Sequence, residues 1–347
     1  MKSSNMKINT RELCYIIAEI GVNHNGDMNL AKELIVSAIE CGANAVKFQT
    51  FKAERLVSRG TPKVDYQKRN SSSDETHFDM IKKLELSHDD HFMLKDFTEQ
   101  RGIDFISTPY DVESAKFLNE SLDLKIFKVA SADLVDLPLH KYIASSRKPV
   151  LVSVGMASLA EIDDTIKIYE DNNVENVTLL HCVSNYPCHH KSLNLSVIPA
   201  LNQAFNYPVG FSDHSIGFEA SICSVSLGVK VIEKHFTLDK NIQGPDHLAS
   251  STPREFRELV DKIRLTESML GNPRKVIQQE ELQMYNVSRK SIVLANDLRK
   301  GHQICESDLC LKRPGTGLPS KWLNYFIGKK LLIDKEKDSL LALNEAS

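Results

Sequence analysis

Two lysines stand inside apolar runs: Lys47 in Ala45-Val46-Lys47-Phe48-Gln49-Thr50 and Lys128 in Ile126-Phe127-Lys128-Val129. A buried lysine is rare unless it is paired. Two of them facing one cavity suit a bound anion, and flanking hydroxyls suit phosphate or carboxylate. Such hydroxyls recur at the ends of the apolar runs: Ser107 and Thr108, Ser131, Ser153, Ser184 and Ser212. A strand-end hydroxyl can do no more than cap the following helix, but capping does not explain the lysines. Other run ends carry Glu19, Asn23-His24-Asn25-Gly26, Gln49, Asp133, Asn185-Tyr186-Pro187, Asp213-His214-Ser215 and Glu233-Lys234-His235. His214 and His235 close neighbouring runs. A lone strand histidine is more often a hydrogen-bonded core residue. A pair converging on one cavity instead suits a divalent metal, and two nitrogen ligands with open positions suit an ion such as manganese. His88, His91 and His140 fall on helical faces expected to meet solvent. His189-His190 sits in a loop without a third ligand nearby. Cys182 follows His181 on a strand, so their side chains point to opposite faces and form no nucleophile pair.

The elements that must position these groups are short β-branched runs alternating with amphipathic segments. The runs are residues 15–21, 45–50, 104–109, 126–131, 149–155, 177–183, 209–212 and 231–236. Helical patterns between and after them include 29–41, 91–101, 159–171, 218–227 and 253–270. Most runs are apolar throughout, as parallel strands covered on both faces require. Eight such units over roughly 270 residues predict a (β/α)8 barrel, with chemistry at the C-terminal ends of the strands. The rival is an open doubly wound sheet. No G-x-G-x-x-G motif follows the first run, which argues against its dinucleotide-binding form. Residues 51–87 make one unit oversized and include Lys52, Arg55, Lys63, Tyr66, Lys68 and Arg69. On a barrel this segment would lie over the active site. After Gly271-Asn272-Pro273 a polar connector, 280–287, leads into a turn-rich tail. The expected domains are therefore 1–279, a linker at 280–287, and a small module at 288–347.

The chain has 347 residues and a net charge of −3, so no basic field exists to bind nucleic acid or an anionic membrane. Apolar residues are 41% and charged residues 26%, the balance of a soluble globular protein. No apolar run approaches the roughly 20 residues needed to span a bilayer, and the polar N-terminus does not read as a signal peptide. Seven scattered cysteines without a C-x-x-C read as reduced thiols of a cytoplasmic protein.

At these residues the chain resembles the bacterial sialic acid (N-acetylneuraminate) synthase family over nearly its full length. The landmarks are Ala18-Glu19-Ile20-Gly21-Val22-Asn23-His24-Asn25-Gly26, Val46-Lys47-Phe48-Gln49-Thr50, Ser107-Thr108-Pro109 and Leu180-His181-Cys182. They continue with Phe211-Ser212-Asp213-His214, Glu233-Lys234-His235-Phe236-Thr237, Gly244-Pro245-Asp246-His247 and Lys312-Arg313-Pro314-Gly315-Thr316-Gly317. The resemblance implies a (β/α)8 TIM barrel followed by a small antifreeze-like (SAF) domain. It implies condensation of phosphoenolpyruvate with N-acetylmannosamine and water to give N-acetylneuraminate and phosphate. Lys47, Thr108, Lys128, Ser131, Ser153, Ser184 and Ser212 fall where the family holds phosphoenolpyruvate. His214 and His235 fall where it binds Mn2+ or Mg2+, and Glu19 at the acid/base. Asp133, Tyr186 and Asp246 fall on the sugar side. Arg313 falls where the small domain of a partner subunit reaches the N-acetyl group, which implies a domain-swapped homodimer. Where sialic acid synthases typically carry Gly-Glu after the strand-four serine, this chain has Ala132-Asp133. Legionaminic and pseudaminic acid synthases share the scaffold and use other hexosamines, including a 2,4-diacetamido-trideoxyhexose. A Schiff-base barrel aldolase is the alternative outside the family.

Overall fold

The computed structural model describes residues 13–64, 67 and 75–347. The polar N-terminal stretch and Tyr66, Lys68 and Arg69 of the long segment lie outside the described residues. Eight parallel strands close into a barrel in chain order: β1 (Tyr15–Gly21), β2 (Ala45–Thr50), β3 (Asp104–Pro109), β4 (Phe127–Val129), β5 (Val150–Ser153), β6 (Val177–Cys182), β7 (Val209–Asp213) and β8 (Val231–His235). The strands are apolar on both faces because both are covered. Ile17, Ala45, Ile106, Ile126, Leu151, Leu180 and Val231 pack inside the barrel, while Ile16, Ala18, Val46 and Phe48 join the layer under the helices. Gly210 belongs to the interior layer: a Cβ there would lie 2.5 Å from Leu180 Cδ2 and 2.6 Å from the Val231 carbonyl oxygen.

Side chains alternate along a strand, so residues two positions on share the interior face. Two positions beyond the apolar layer stand Glu19, Lys47, Thr108, Lys128, Ser153, Cys182 and Glu233, and Ser212 stands two beyond Gly210. All eight are buried. The barrel interior therefore changes from hydrocarbon to charge within one pleat, toward the C-terminal ends of the strands.

The surrounding helices begin where their capping residues dictate. Asp27 caps Met28–Glu40, and Ser158 with Glu161 closes a capping box on Leu159–Asp171. Thr252 with Glu255, and Pro253 in the first turn, start Pro253–Leu270, which buries Phe256, Leu259, Val260 and Ile263 and stops at Gly271. Two expectations are corrected here. Helix His88–Glu99 turns His91 inward beside Leu94 and Thr98, one helical turn apart, and its Nε2 lies 2.8 Å from Thr50 Oγ1. Helix Leu137–Ser145 buries His140, whose Nδ1 lies 2.7 Å from the Tyr169 hydroxyl. Both are hydrogen-bonded core histidines and neither meets solvent. Strand β4 is also shorter than expected, because Ser131–Asp133 close into a 3-10 turn.

The chain divides into two compact units, Met1–Gly271 and Asn272–Ser347, and the connecting segment falls with the second. That unit has its own core of Ile292, Leu294, Leu298, Ile304, Phe326, Leu331 and Leu341. Its sheet is the antiparallel pair β9 (Ser291–Leu294) and β10 (Leu309–Lys312). All seven cysteines are unpaired. Among the described residues no helix is long and apolar enough to cross a membrane.

Candidate active site

The polar layer is the floor of a cavity of about 410 Å3 at the C-terminal end of the barrel. The Lys47 ammonium sits at the floor's centre, 2.8 Å from Glu19 Oε2, 3.0 Å from Thr108 Oγ1 and 3.8 Å from Glu233 Oε2. Lys128 Nζ lies 3.5 Å from Glu233 Oε1, which also accepts the Ser212 hydroxyl at 2.8 Å. Gln49 donates to Glu19 Oε1 at 3.2 Å. Adjacent parallel strands bring these groups together: Glu19 is paired in register with Lys47 and with His235, and Ser212 with Glu233.

Each charge is tuned by this company. Burial pushes the Glu19 carboxyl up to about 7, with Glu233 adding to the rise and Lys47 pulling against it. Burial also opposes ionisation of Glu233, but Lys128, Lys47 and the Ser212 hydroxyl outweigh it and hold the group at about 2. Burial lowers Lys128, and the neighbouring Lys47 adds to the fall, so that Glu233, Cys182 and Glu19 do not fully compensate. Lys47 is raised despite burial, because Glu19 and Glu233 both face it.

A cluster of hydroxyls rises above the floor on the β4–β6 side. Ser131 Oγ accepts the Gly155 N–H at 2.9 Å, and Ser153 Oγ is buried without a hydrogen-bond partner. Gly155 makes this cluster possible, since a Cβ there would lie 2.6 Å from Ser184 Oγ and 2.8 Å from Ser131 Oγ. On the β7–β8 side the rings of His214 and His235 stand 5.4 Å apart, with Tyr186 4.1 Å from the first and 5.5 Å from the second. His214 Nδ1 lies 3.0 Å from the Val183 carbonyl. His235 Nδ1 is buried without a hydrogen-bond partner, 3.9 Å from Asp246 Oδ2. Burial and the charges of His214 and Lys47 hold His235 neutral, well below the usual imidazole range. Burial lifts Asp246 to about 6.

Of the residues expected from the sequence, Glu19, Lys47, Lys128, Ser131, Ser153, Ser184, Tyr186, Ser212, His214, His235 and Asp246 line this one cavity. Thr108 lies against Lys47. Asp133 is not among the lining side chains; burial lifts its carboxyl to about 7, and its Oδ2 has no hydrogen-bond partner. Arg313 belongs to the second unit, where its Nε donates to the Ser288 carbonyl at 3.1 Å. Two residues were missed. Glu233, the acid between the lysines, shares the parity of His235 on β8. Cys182 turns away from His181, as alternation requires, yet its Sγ lies 3.7 Å from His214 Nδ1 on the neighbouring strand. A second cavity of about 420 Å3 opens at the start of β6–β8, beside Thr178, Tyr207 and Lys230, and gathers none of these groups.

The sequence matches the NeuB family over residues 34–275, more than half of the chain. The chain belongs to the NeuB family. This NeuB-family chain is 44% identical to N,N'-diacetyllegionaminic acid synthase of Legionella pneumophila, across 94% of its own length and 95% of that protein. It is 35% identical to human N-acetylneuraminate-9-phosphate synthase, across 94% and 91% respectively. Among solved structures it superposes on an N-acetylneuraminic acid synthetase from Leptospira borgpetersenii, crystallised with citrate. The TM-score is 0.73 at 33% identity, over 82% of this chain and 94% of that one. It is thus a member of the sialic acid and legionaminic acid synthase family.

Proposed function

We propose that this protein condenses phosphoenolpyruvate with a hexosamine aldehyde to give a nine-carbon 2-keto acid and phosphate, and that the sugar is a 2,4-diacetamido-trideoxyhexose. The carrying observation is the anion pocket, in which Lys47, Lys128 and the hydroxyls of Ser131, Ser153, Ser184 and Ser212 line one cavity with a histidine pair. The sequence alone pointed first to N-acetylmannosamine. The higher identity to the legionaminic acid synthase than to the human N-acetylneuraminate-9-phosphate synthase favours the diacetamido sugar instead. Ala132-Asp133 in place of Gly-Glu agrees with a changed sugar.

The lysines hold the carboxylate and phosphate of phosphoenolpyruvate and balance their charge. Its methylene carbon bonds to the aldehyde carbon of the open-chain sugar, the carbonyl π pair passes to the aldehyde oxygen, and that oxygen takes up a proton to become a hydroxyl. Water adds at the adjacent carbon and gives its proton to Glu19, whose position near 7 suits a base at neutral pH. The C–O bond to phosphate then breaks, and phosphate leaves with the bridging oxygen. His214 and His235 fit a divalent cation. The tie of His214 Nδ1 to a backbone carbonyl frees Nε2 for a ligand bond, and His235 offers a neutral, unpartnered nitrogen. Among the described residues no set of three or more His, Cys, Asp or Glu is arranged around a metal position, so His214 and His235 are the residues that would hold such an ion. When bound, Mn2+ or Mg2+ supplies Lewis-acid polarisation of the aldehyde. The second unit is read as the SAF domain, whose Arg313 serves an N-acetyl oxygen in the partner's barrel.

One observation favours a second reading. Lys128 is buried and depressed, as a Schiff-base lysine would be. Both readings meet the same experiment. Enzyme, phosphoenolpyruvate and Mn2+ are incubated with a hexosamine panel, and products are weighed with and without chelator. Metal-dependent release of phosphate with a keto acid carrying two acetamido groups is expected. In a parallel incubation with added pyruvate, pyruvate trapped on Lys128 by borohydride, with no phosphate released from phosphoenolpyruvate, would overturn it.

A further inference from the structure

One wall of the cavity plays no part in the chemistry above. Val22, Phe51, Met80 and Leu84 form a buried cluster with Leu56, Ile81 and Tyr110 packed on it, and all seven line the cavity. Val22 follows β1, Phe51 follows β2 and Tyr110 follows β3, so the wall stands above the β1–β3 sector. The hydroxyl cluster occupies the β4–β6 sector and the histidines the β7–β8 sector, with β8 paired to β1. A sugar whose aldehyde meets the histidines and whose chain leads away from the anion pocket runs onto this wall.

We infer that the wall of Val22, Phe51, Leu56, Met80, Ile81 and Leu84 selects a deoxygenated sugar terminus, a methyl group where an ordinary hexosamine carries a hydroxymethyl. The inference rests on the synthase reading. A terminal hydroxyl placed there loses water without gaining a partner. The polar groups at the rim are engaged elsewhere: Gln67 Oε1 accepts the Val64 N–H at 3.1 Å, and His77 Nδ1 lies 3.3 Å from the Pro62 carbonyl. A phosphorylated terminus is disfavoured too. Among the described residues of this segment the cations are engaged: Lys52 with Glu85, Lys63 with Glu75, Lys82 with Glu54 and Glu85, Lys83 with Glu75 and Arg55 with Asp111, while Arg59 lies over the Phe78 ring. The long insertion therefore reads the far end of the sugar, its apolar side chains forming the wall together with Val22.

The test is competition between 2,4-diacetamido-2,4,6-trideoxyhexose, its 6-hydroxy counterpart and the 6-phosphate of that counterpart. The ratio of kcat/KM values reads only folded, active enzyme. The wild type should prefer the 6-deoxy sugar by roughly 10–100-fold, the range an apolar pocket achieves against one added hydroxyl. Ile81→Thr and Leu56→Asn, both at partly buried positions, should each narrow that ratio about tenfold. Equal use by the wild type, preference for the phosphate, or an unchanged ratio in both variants would overturn the inference. Should the enzyme accept N-acetylmannosamine and neither diacetamido sugar, the proposed substrate fails. The wall is then judged by 6-deoxy-N-acetylmannosamine against N-acetylmannosamine with the same variants.

Discussion

Four charged side chains share the cavity floor, and each keeps its state through the others. Glu233 holds both lysines in place, and removing either lysine leaves a buried carboxylate short of a partner. Lys47→Ala or Lys128→Ala should therefore weaken phosphoenolpyruvate binding by roughly 1.5–3 kcal/mol, the worth of a charge-assisted contact. The KM for the sugar should change far less; equal loss for both substrates would contradict the assignment. Glu19 sets the pH response. Its carboxyl is raised to about 7, so it carries a proton below that value and accepts one only above it. With Glu19 as base, kcat should fall as pH drops through about 7, and Glu19→Gln should remove that limb along with most of the activity, checked by pH–rate profiles of both proteins. These residues were legible in the sequence as polar breaks in apolar runs. Glu233 is named in the sequence only as a strand-end group and Cys182 only to set aside a nucleophile pair, and neither is given a site role, although stepping two residues from the inward Val231 and Leu180 reaches both. His91 and His140 were misread because the hydrogen-bond partners that let them be buried, Thr50 and Tyr169, are distant in sequence.

At the scale of elements, strand parity turns one apolar layer into one polar layer, and two glycines test it from either side. A methyl group on Gly155 would press hardest on Ser131 and Ser184, which can rotate, and lie 3.2 Å from the Cys182 carbonyl, which must give slightly, so Gly155→Ala should fold and raise the KM for phosphoenolpyruvate about tenfold. A methyl on Gly210 would press on the Val231 carbonyl and the packed Leu180, so Gly210→Ala should cost stability by about 1–3 kcal/mol, as overpacked cores do. Denaturant midpoints and KM values of the two variants should separate cleanly; a destabilised Gly155→Ala with unaltered KM would contradict the hydroxyl cluster. The bounds of β1, β2 and β3 were readable because their runs are long and flanked by turn residues. Strand β4 was overread, since Ser131–Asp133 close a 3-10 turn that the apolar pattern does not announce. The apolar wall was invisible in sequence, because Val22, Phe51, Met80 and Leu84 meet only through the closure of the barrel.

At the scale of the molecule, two units with separate cores share one chain, and Arg313 lies in the unit without the cavity. On the proposed swapped dimer, Arg313→Ala should chiefly raise the KM for the N-acetylated sugar. Mixing Arg313→Ala and Glu19→Ala subunits should regain activity, since one mixed site keeps both groups. No recovery after subunit exchange would mean that Arg313 does not act across subunits.

The central claim is that the barrel joins phosphoenolpyruvate to an aldehyde with cleavage of the C–O bond. Phosphoenolpyruvate carrying 18O in its bridging position decides it when the released phosphate is weighed. The account predicts phosphate that retains the label, formed only with sugar present and in step with the keto acid. Unlabelled phosphate, with the 18O left on the three-carbon fragment, would contradict it.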